Sequence, residues 1–377
     1  MREASSWSGR GAPQSSEHGL RGRSCPLLAL VLFTLLAPLP RAEAFPIAPQ
    51  TLKELTQGAE LVVWAEVEKV TVLPPPEPGA KPREGDWDKG LVAHLRIREV
   101  WRGKAPADER IQVHYAQLTC PAGAIYDPDE RVLAFLVQRE GRWRTVGLSY
   151  GTRYPTDEDE VAAYRHAVTR FRVMEEQAIV ARAARREDGV TAALTDWQVL
   201  LATHPATRWD GLYGLVPDSD ADHFFYDYRP FRAVHLLPEQ REQLTRGFVK
   251  YPPLDRTLPM LLTALRGHKS DEVDRLSARA LETVLADERP PRWADRAFDL
   301  LRERYGEQPA APSKQDEDPL MRTMADAKAG PSGPRVSEGS PLLREWRRFK
   351  QRHHLKPKPL PLPVEFPAPG TGGNTTL

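Results

Sequence analysis

The chain has 377 residues, with 53 Lys and Arg set against 52 Asp and Glu. That length allows two domains with sizeable cores, and the charge balance excludes a global pull toward nucleic acid or anionic membranes. The only cysteines are Cys25 and Cys120, which excludes a disulfide-stapled scaffold, so packing must hold the fold together.

The N-terminus reads as a secretory signal over residues 1–44. Leu27 to Ala37 is an apolar run broken only by Thr34, with Arg21 and Arg23 before it and Ala42-Glu43-Ala44 after it. A basic flank, a short apolar core and small residues at the cleavage positions define such a segment. Spanning a bilayer takes roughly 20 apolar residues, so the run is too short for a stable anchor. The expected mature chain starts at Phe45 and holds 333 residues, with 48 Lys and Arg against 49 Asp and Glu.

Five strand-like segments follow, between Leu61 and Tyr150. Leu61 to Ala65 is a continuous apolar run. Leu91, Ala93, Leu95 and Ile97 alternate with polar residues, as do Ile111, Val113 and Tyr115. Val132 to Val137 is a second continuous run, and Trp143 to Tyr150 is the fifth segment. Period-two alternation bounded by Gly, Pro and Asp is the strand signature. No helix of crossover length separates strands two and three or four and five, so antiparallel pairing is expected throughout. Five such strands suit a small closed barrel of OB type.

After Tyr154 the period changes to that of a helix. Thr156 stands as an N-cap before four acids, 157–160, which suit the positive end of a helix dipole. Val161, Tyr164, Val168, Phe171 and Ile179 recur at helical spacing, and further helices are predicted at about 191–203, 207–216, 238–250, 255–267, 270–287 and 291–305. Consecutive short amphipathic helices suggest a loosely HEAT-like stacked array, without a clean internal repeat. From Glu307 to Leu377 the composition turns to Pro, Lys, Asp, Gly and Ser, with 12 of the 36 prolines, and reads as a disordered tail. One island interrupts it, a basic helix predicted at 341–356. Its Leu342, Leu343, Trp346 and Phe349 fall on one side among Arg and Lys, a pattern that suits an anionic surface or a partner groove.

Residues 51–152 resemble a family of bacterial exported β-domains similar to the netrin-like, tissue-inhibitor-of-metalloproteinase OB barrel. The resemblance rests on "LKELTQGAELVVWAEV", "REVWRGK" and "DERVLAFLVQREGRWRTVGLSYGT". It implies architecture more than activity. Inhibitors of that class place a disulfide-bonded cysteine at the mature N-terminus, where this chain has Phe45, so their inhibitory mechanism does not carry over.

Three motifs bear on chemistry. Gly147-Leu148-Ser149-Tyr150-Gly151 fits G-x-S-x-G, but a nucleophile elbow requires a helix opening directly at the serine. Gly151 to Pro155 intervene before the helical period, so the glycines are expected to bend the end of a strand. Asp218, Asp220 and Asp222, with His223 and Asp227 near, offer hard oxygen ligands. A calcium loop of EF-hand type nevertheless needs Gly at its sixth position and Glu at its twelfth, where this chain has His223 and Arg229. His94, His114 and Cys120 make no ligand pair of zinc spacing.

The expected protein is therefore α+β. An antiparallel OB-like barrel domain (45–155) precedes an α-helical domain (156–306) and the tail (307–377). It is expected to be exported, secreted or periplasmic. It would act as a non-enzymatic binding or interaction module of the cell envelope, with no catalytic residue, metal or cofactor. Its partner would be a protein or envelope component and not nucleic acid, with no transmembrane segment in the mature chain. The alternative is a hydrolase using Ser149, or a metal-dependent site at Asp218, Asp220 and Asp222.

Overall fold

The computed structural model describes residues 50–73, 90–116, 123–217, 233–285, 290–291, 293–308 and 341–359. The signal segment 1–44 and the Asp218–Asp222 motif lie outside the described residues. So do Cys120, the insert between the first two strands and most of the tail.

The first element is helix α1 (Leu52–Gly58). Thr51 caps it, and its own amide donates to Glu54 Oε2 at 3.0 Å, closing a capping box. Strands β1 (Leu61–Val72), β2 (Leu91–Arg102), β3 (Arg110–Tyr115), β4 (Arg131–Arg139) and β5 (Arg142–Thr145) follow. They hydrogen-bond in the order β1-β2-β3-β5-β4, and β1 pairs with β4 to close the barrel. A two-residue strand β6 (Thr152–Arg153) pairs with β4.

One pairing departs from the all-antiparallel expectation. β3 and β5 run parallel, with Val113 beside Trp143 and His114 beside Arg144. Antiparallel hairpins join neighbours in sequence, but the ring also pairs strands that are not sequence neighbours, β1 with β4 and, here, β3 with β5. Their relative direction is set by the path between them, through β4, and leaves no local trace. The fifth strand is also shorter than expected. It ends at Thr145, and the backbone then turns through a 3₁₀ segment at Leu148–Gly151.

The two continuous apolar runs are explained by burial on both faces. Leu61, Val63, Ala65, Val132, Ala134 and Leu136 point into the barrel. Val62, Trp64, Leu133 and Phe135 point outward and pack under helices. A strand covered on both sides loses the polar half of its alternation.

The covering helices are α2 (Glu158–Ala183) and α3 (Glu187–Ala202). The α2 N-cap is Asp157, one residue later than expected. Its carboxylate accepts the Glu160 amide at 2.8 Å, while the Thr156 amide donates to Glu160 Oε2 at 2.7 Å. Val161, Tyr164, Phe171 and Met174 of α2 join Leu52, Leu55, Trp64, Phe135 and Trp197 in one cluster. Phe171 meets Trp197 edge-on at 5.0 Å. Ion pairs bind the same seam, with Arg165 reaching Glu99 at 2.6 Å and Arg102 reaching Glu175 at 2.6 Å. The change from strand to helix falls between Arg153 and Asp157, yet the described residues on both sides belong to one compact unit. The barrel's outer face is therefore part of the helical domain's core.

Among the described residues, the remaining helices are α4 (Pro205–Leu215), α5 (Pro238–Lys250), α6 (Thr257–Ala264), α7 (Asp271–Val284), α8 (Trp293–Arg304) and α9 (Pro341–Arg352). From α2 to α8 the packing joins next-but-one neighbours, with α2 on α4, α3 on α5, α4 on α6, α5 on α7 and α6 on α8. Such contacts stack helices into an array.

The basic helix expected at 341–356 is present as α9, and its apolar side is docked on the body. Trp346 and Phe349 are 1% and 0% exposed, within the same cluster as Leu261, Leu281 and Leu301. Phe298 meets both rings edge-on, at 5.3 and 5.4 Å. Arg302 reaches Glu345 at 3.0 Å and Arg352 reaches Glu307 at 2.7 Å. Averaged composition hides what position shows, since Leu342, Trp346 and Phe349 are four and three residues apart and make one helical face.

Candidate functional site

A cleft of about 400 Å³ opens between α2, α3 and α5. Local capping rules place its polar groups. Asp159 belongs to the acidic first turn of α2. His204 is the N-cap of α4, directly before Pro205, whose missing amide proton suits the first helical position. Tyr251 is the C-cap of α5, and Lys250 and Arg246 line the wall beside it.

These residues form a closed network. His204 Nε2 lies 3.0 Å from Asp159 Oδ2, and the Tyr251 hydroxyl donates to the same oxygen at 2.7 Å. The His204 and Tyr251 rings meet edge-on at 4.9 Å. The Asp159 carboxyl is held below its ordinary range, by the Tyr251 hydroxyl first and by His204 second. Burial pushes the Tyr251 phenol up.

The tautomer follows from geometry. His204 Nδ1 accepts the Ala206 amide at 3.2 Å, so the ring proton is on Nε2 and is donated to Asp159. Both ring nitrogens are then occupied. A histidine serving as a general base must present a lone pair to its substrate while a carboxylate holds the opposite nitrogen. Here that lone pair caps a helix. The acid–imidazole pair orients the N-terminus of α4 and fixes the cleft wall, while Lys250 and Arg246 present charge to the opening.

Helix α4 also carries a buried carboxyl. Asp210 of α4 accepts the Leu52 amide at 2.8 Å and stands 3.9 Å from Arg153. Burial raises its pKa to about 6, against the opposing pull of Arg153. Arg208, on the same helix, is also buried and donates to the Tyr251 carbonyl at 2.6 Å. Burial lowers its pKa to about 10.

Ser149 sits half-buried in the 3₁₀ turn, with Gly147 at φ 72° before it and strand β6 after it. The Thr152 hydroxyl donates to the Ser149 carbonyl at 3.5 Å. A Cβ on Gly151 would fall 1.8 Å from the Val146 carbonyl oxygen. The two glycines thus serve a tight turn between two strands, and no helix opens at the serine. His94 bonds the Thr71 hydroxyl at 3.1 Å on β2. His114 lies on β3 opposite Val92. Among the described residues no three His, Cys, Asp or Glu side chains gather as a metal site. Asp218, Asp220, Asp222 and Cys120 fall outside those residues.

Sequence patterns do not assemble the Asp159–His204–Tyr251 cluster. The usable signal is the His-Pro pair at 204–205, which marks a cap. Nothing local joins it to positions 159 and 251.

No protein-family model matches this chain, and neither a curated protein nor a solved structure matches it. The class is therefore defined by the fold alone, a closed five-stranded OB-like barrel whose outer face is built into a helical array. Among the described residues no helix is long and apolar enough to cross a membrane.

Proposed function

We propose that this is an exported, non-enzymatic binding module of the cell envelope, acting after removal of residues 1–44, with its barrel of the netrin-like type. The observation that carries the binding reading is the state of His204. The cleft between α2, α3 and α5 holds an Asp–His–Tyr cluster, yet its imidazole has both nitrogens bonded within the protein. Its geometry suits a rigid recognition wall with Arg246 and Lys250 at the rim and does not suit proton transfer. Support for export is the apolar run Leu27–Ala37 followed by Ala42-Glu43-Ala44. Support for the netrin-like type is the pattern of residues 51–152 together with the barrel's strand order. The cysteine on which inhibition of metalloproteinases depends is replaced by Phe45.

The test has two arms. Cells producing the full chain are fractionated, and the envelope or medium fraction is expected to yield a polypeptide starting at Phe45. A full-length chain confined to the cytoplasm would sink the export reading. The purified protein is then treated with a fluorophosphonate probe. Covalent labelling at Ser149 would replace the binding reading with the hydrolase.

A further inference from the structure

Segment 341–359 carries seven Lys or Arg against one Glu. Docking of α9 sorts these charges. Glu345 pairs with Arg302, Lys350 with Glu282, Arg352 with Glu307, and Lys358 with Glu272. Arg344, Arg347, Arg348 and Lys356 are exposed, and none is in an ion pair among the described residues. At 3.6 residues per turn, positions 344, 347, 348 and 351 share one face, opposite the buried Trp346 and Phe349.

The end of the helix adds a cavity to this stripe. His354 takes φ +50°, and the Leu355 amide donates back to the Lys350 carbonyl at 3.0 Å. This is the reversal of a Schellman-type C-cap. It buries Leu355 and turns Lys356 back toward Arg347. The resulting shallow cleft, about 490 Å³, is lined by Arg347, Lys350, Gln351, His354, Leu355 and Lys356, with no carboxylate. The Arg275 guanidinium donates to the Lys356 carbonyl at 3.0 Å, and the Lys358 amide to the Arg275 carbonyl at 3.0 Å, so the reversal is held to α7.

We infer that this basic face of α9 docks the protein on the phosphates of an anionic phospholipid bilayer. The cleft provides donors for one phosphate, and Arg344 and Arg348 extend the positive face along the helix, as a surface of many phosphates requires. The apolar side of α9 is buried against α8, so binding is electrostatic and involves no insertion. Choosing lipid over nucleic acid as the polyanion rests on the exported reading. The cationic face itself does not.

The test uses the chain from Phe45 to Leu377, whose described residues form one compact unit, in sedimentation with vesicles. Binding is expected to phosphatidylcholine vesicles containing phosphatidylglycerol, and not to phosphatidylcholine alone. It should fall away at high salt, as exposed charges become screened. The triple variant R347E/R348E/K356E, with an unchanged thermal melt, should lower the bound fraction about tenfold or more. Should the triple variant fold poorly, R347Q alone should still weaken binding measurably. Failure to bind the anionic vesicles, or equal binding by the variants, overturns the inference. So does binding to phosphatidylcholine alone, or full displacement by inorganic phosphate, which would mark a small-anion site. Preference for duplex nucleic acid over vesicles overturns both this inference and the exported reading, whereas failure on vesicles by a chain recovered from the envelope leaves the exported reading standing.

Discussion

Asp210, on the fourth helix, accepts a hydrogen bond from the backbone amide of Leu52 at 2.8 Å, across 158 positions of sequence. One buried carboxyl thus holds the first amide of α1, at the entrance to the barrel, against the helical array.

This contact should titrate. The folded pKa of Asp210 is raised to about 6 from 3.8. A carboxyl with a raised folded pKa binds its proton more tightly in the native state. Its favourable contribution is therefore complete below about pH 4 and is lost as pH rises through about 6. The loss is on the order of 3 kcal/mol by pH 7. Asp210→Asn keeps an acceptor for the Leu52 amide and removes the ionisation. In urea unfolding, the stability difference between the Asp210→Asn variant and wild type should move in favour of the variant by about 2–3 kcal/mol between pH 4 and pH 7. A pH-independent difference would show that Asp210 is not the titrating group.

The shared core predicts how the barrel behaves alone. Residues 45–155 without helices would leave Leu52, Leu55, Trp64, Leu133 and Phe135, all buried in the whole chain, without α2 and α3 to cover them. That fragment, which the change of period marks as a separate domain, is expected to be poorly folded or aggregated by circular dichroism and sedimentation. Phe171→Ala in the whole chain should cost about 3–5 kcal/mol, and one transition should report both halves. A well-folded isolated fragment would mean that the outward apolar face is dispensable.

Docking of α9 ties part of the C-terminal tail to the body. Trp346→Ala should destabilise by about 3–5 kcal/mol, or release the helix if α9 unfolds locally. Protease cutting between 309 and 340 should leave the 341–359 piece bound to the body on a sizing column in wild type, and lose it in Trp346→Ala. Loss of that piece from the wild-type protein would contradict the burial of Trp346 and Phe349.

Around G-x-S-x-G, a turn and an active site respond to different substitutions. Ser149→Ala should change stability by less than about 0.5 kcal/mol. Gly151→Ala should cost about 1–3 kcal/mol or more, since its Cβ meets the Val146 carbonyl. Thermal melts of both variants check this. A reversed order, with the serine essential and the glycine neutral, would point back to catalysis.

Much of the element order is legible in the amino-acid pattern. Alternation locates β2 and β3, and helical spacing with Pro238 at the first position locates α5 over Pro238–Lys250. Both are local patterns, because strand and helix periods are fixed by backbone geometry. The continuous runs 61–65 and 132–137 also carry more than strand identity, since an apolar run without alternation marks burial on both faces. What covers the outer face is α1, next to the first run, together with α2 and α3, more than twenty residues away from either run.

The sequence alone located most of the strands and helices, and it showed which side of α9 is apolar. Tertiary structure decided the parallel closure of β3 on β5 and the burial of Trp346 against Phe298. It also brought Asp159, His204 and Tyr251 together from three helix ends. The physical reason is the same in each case. A periodic pattern records that a face is buried, through the cost of leaving apolar surface in water, but that cost is non-directional and does not specify which distant element does the covering.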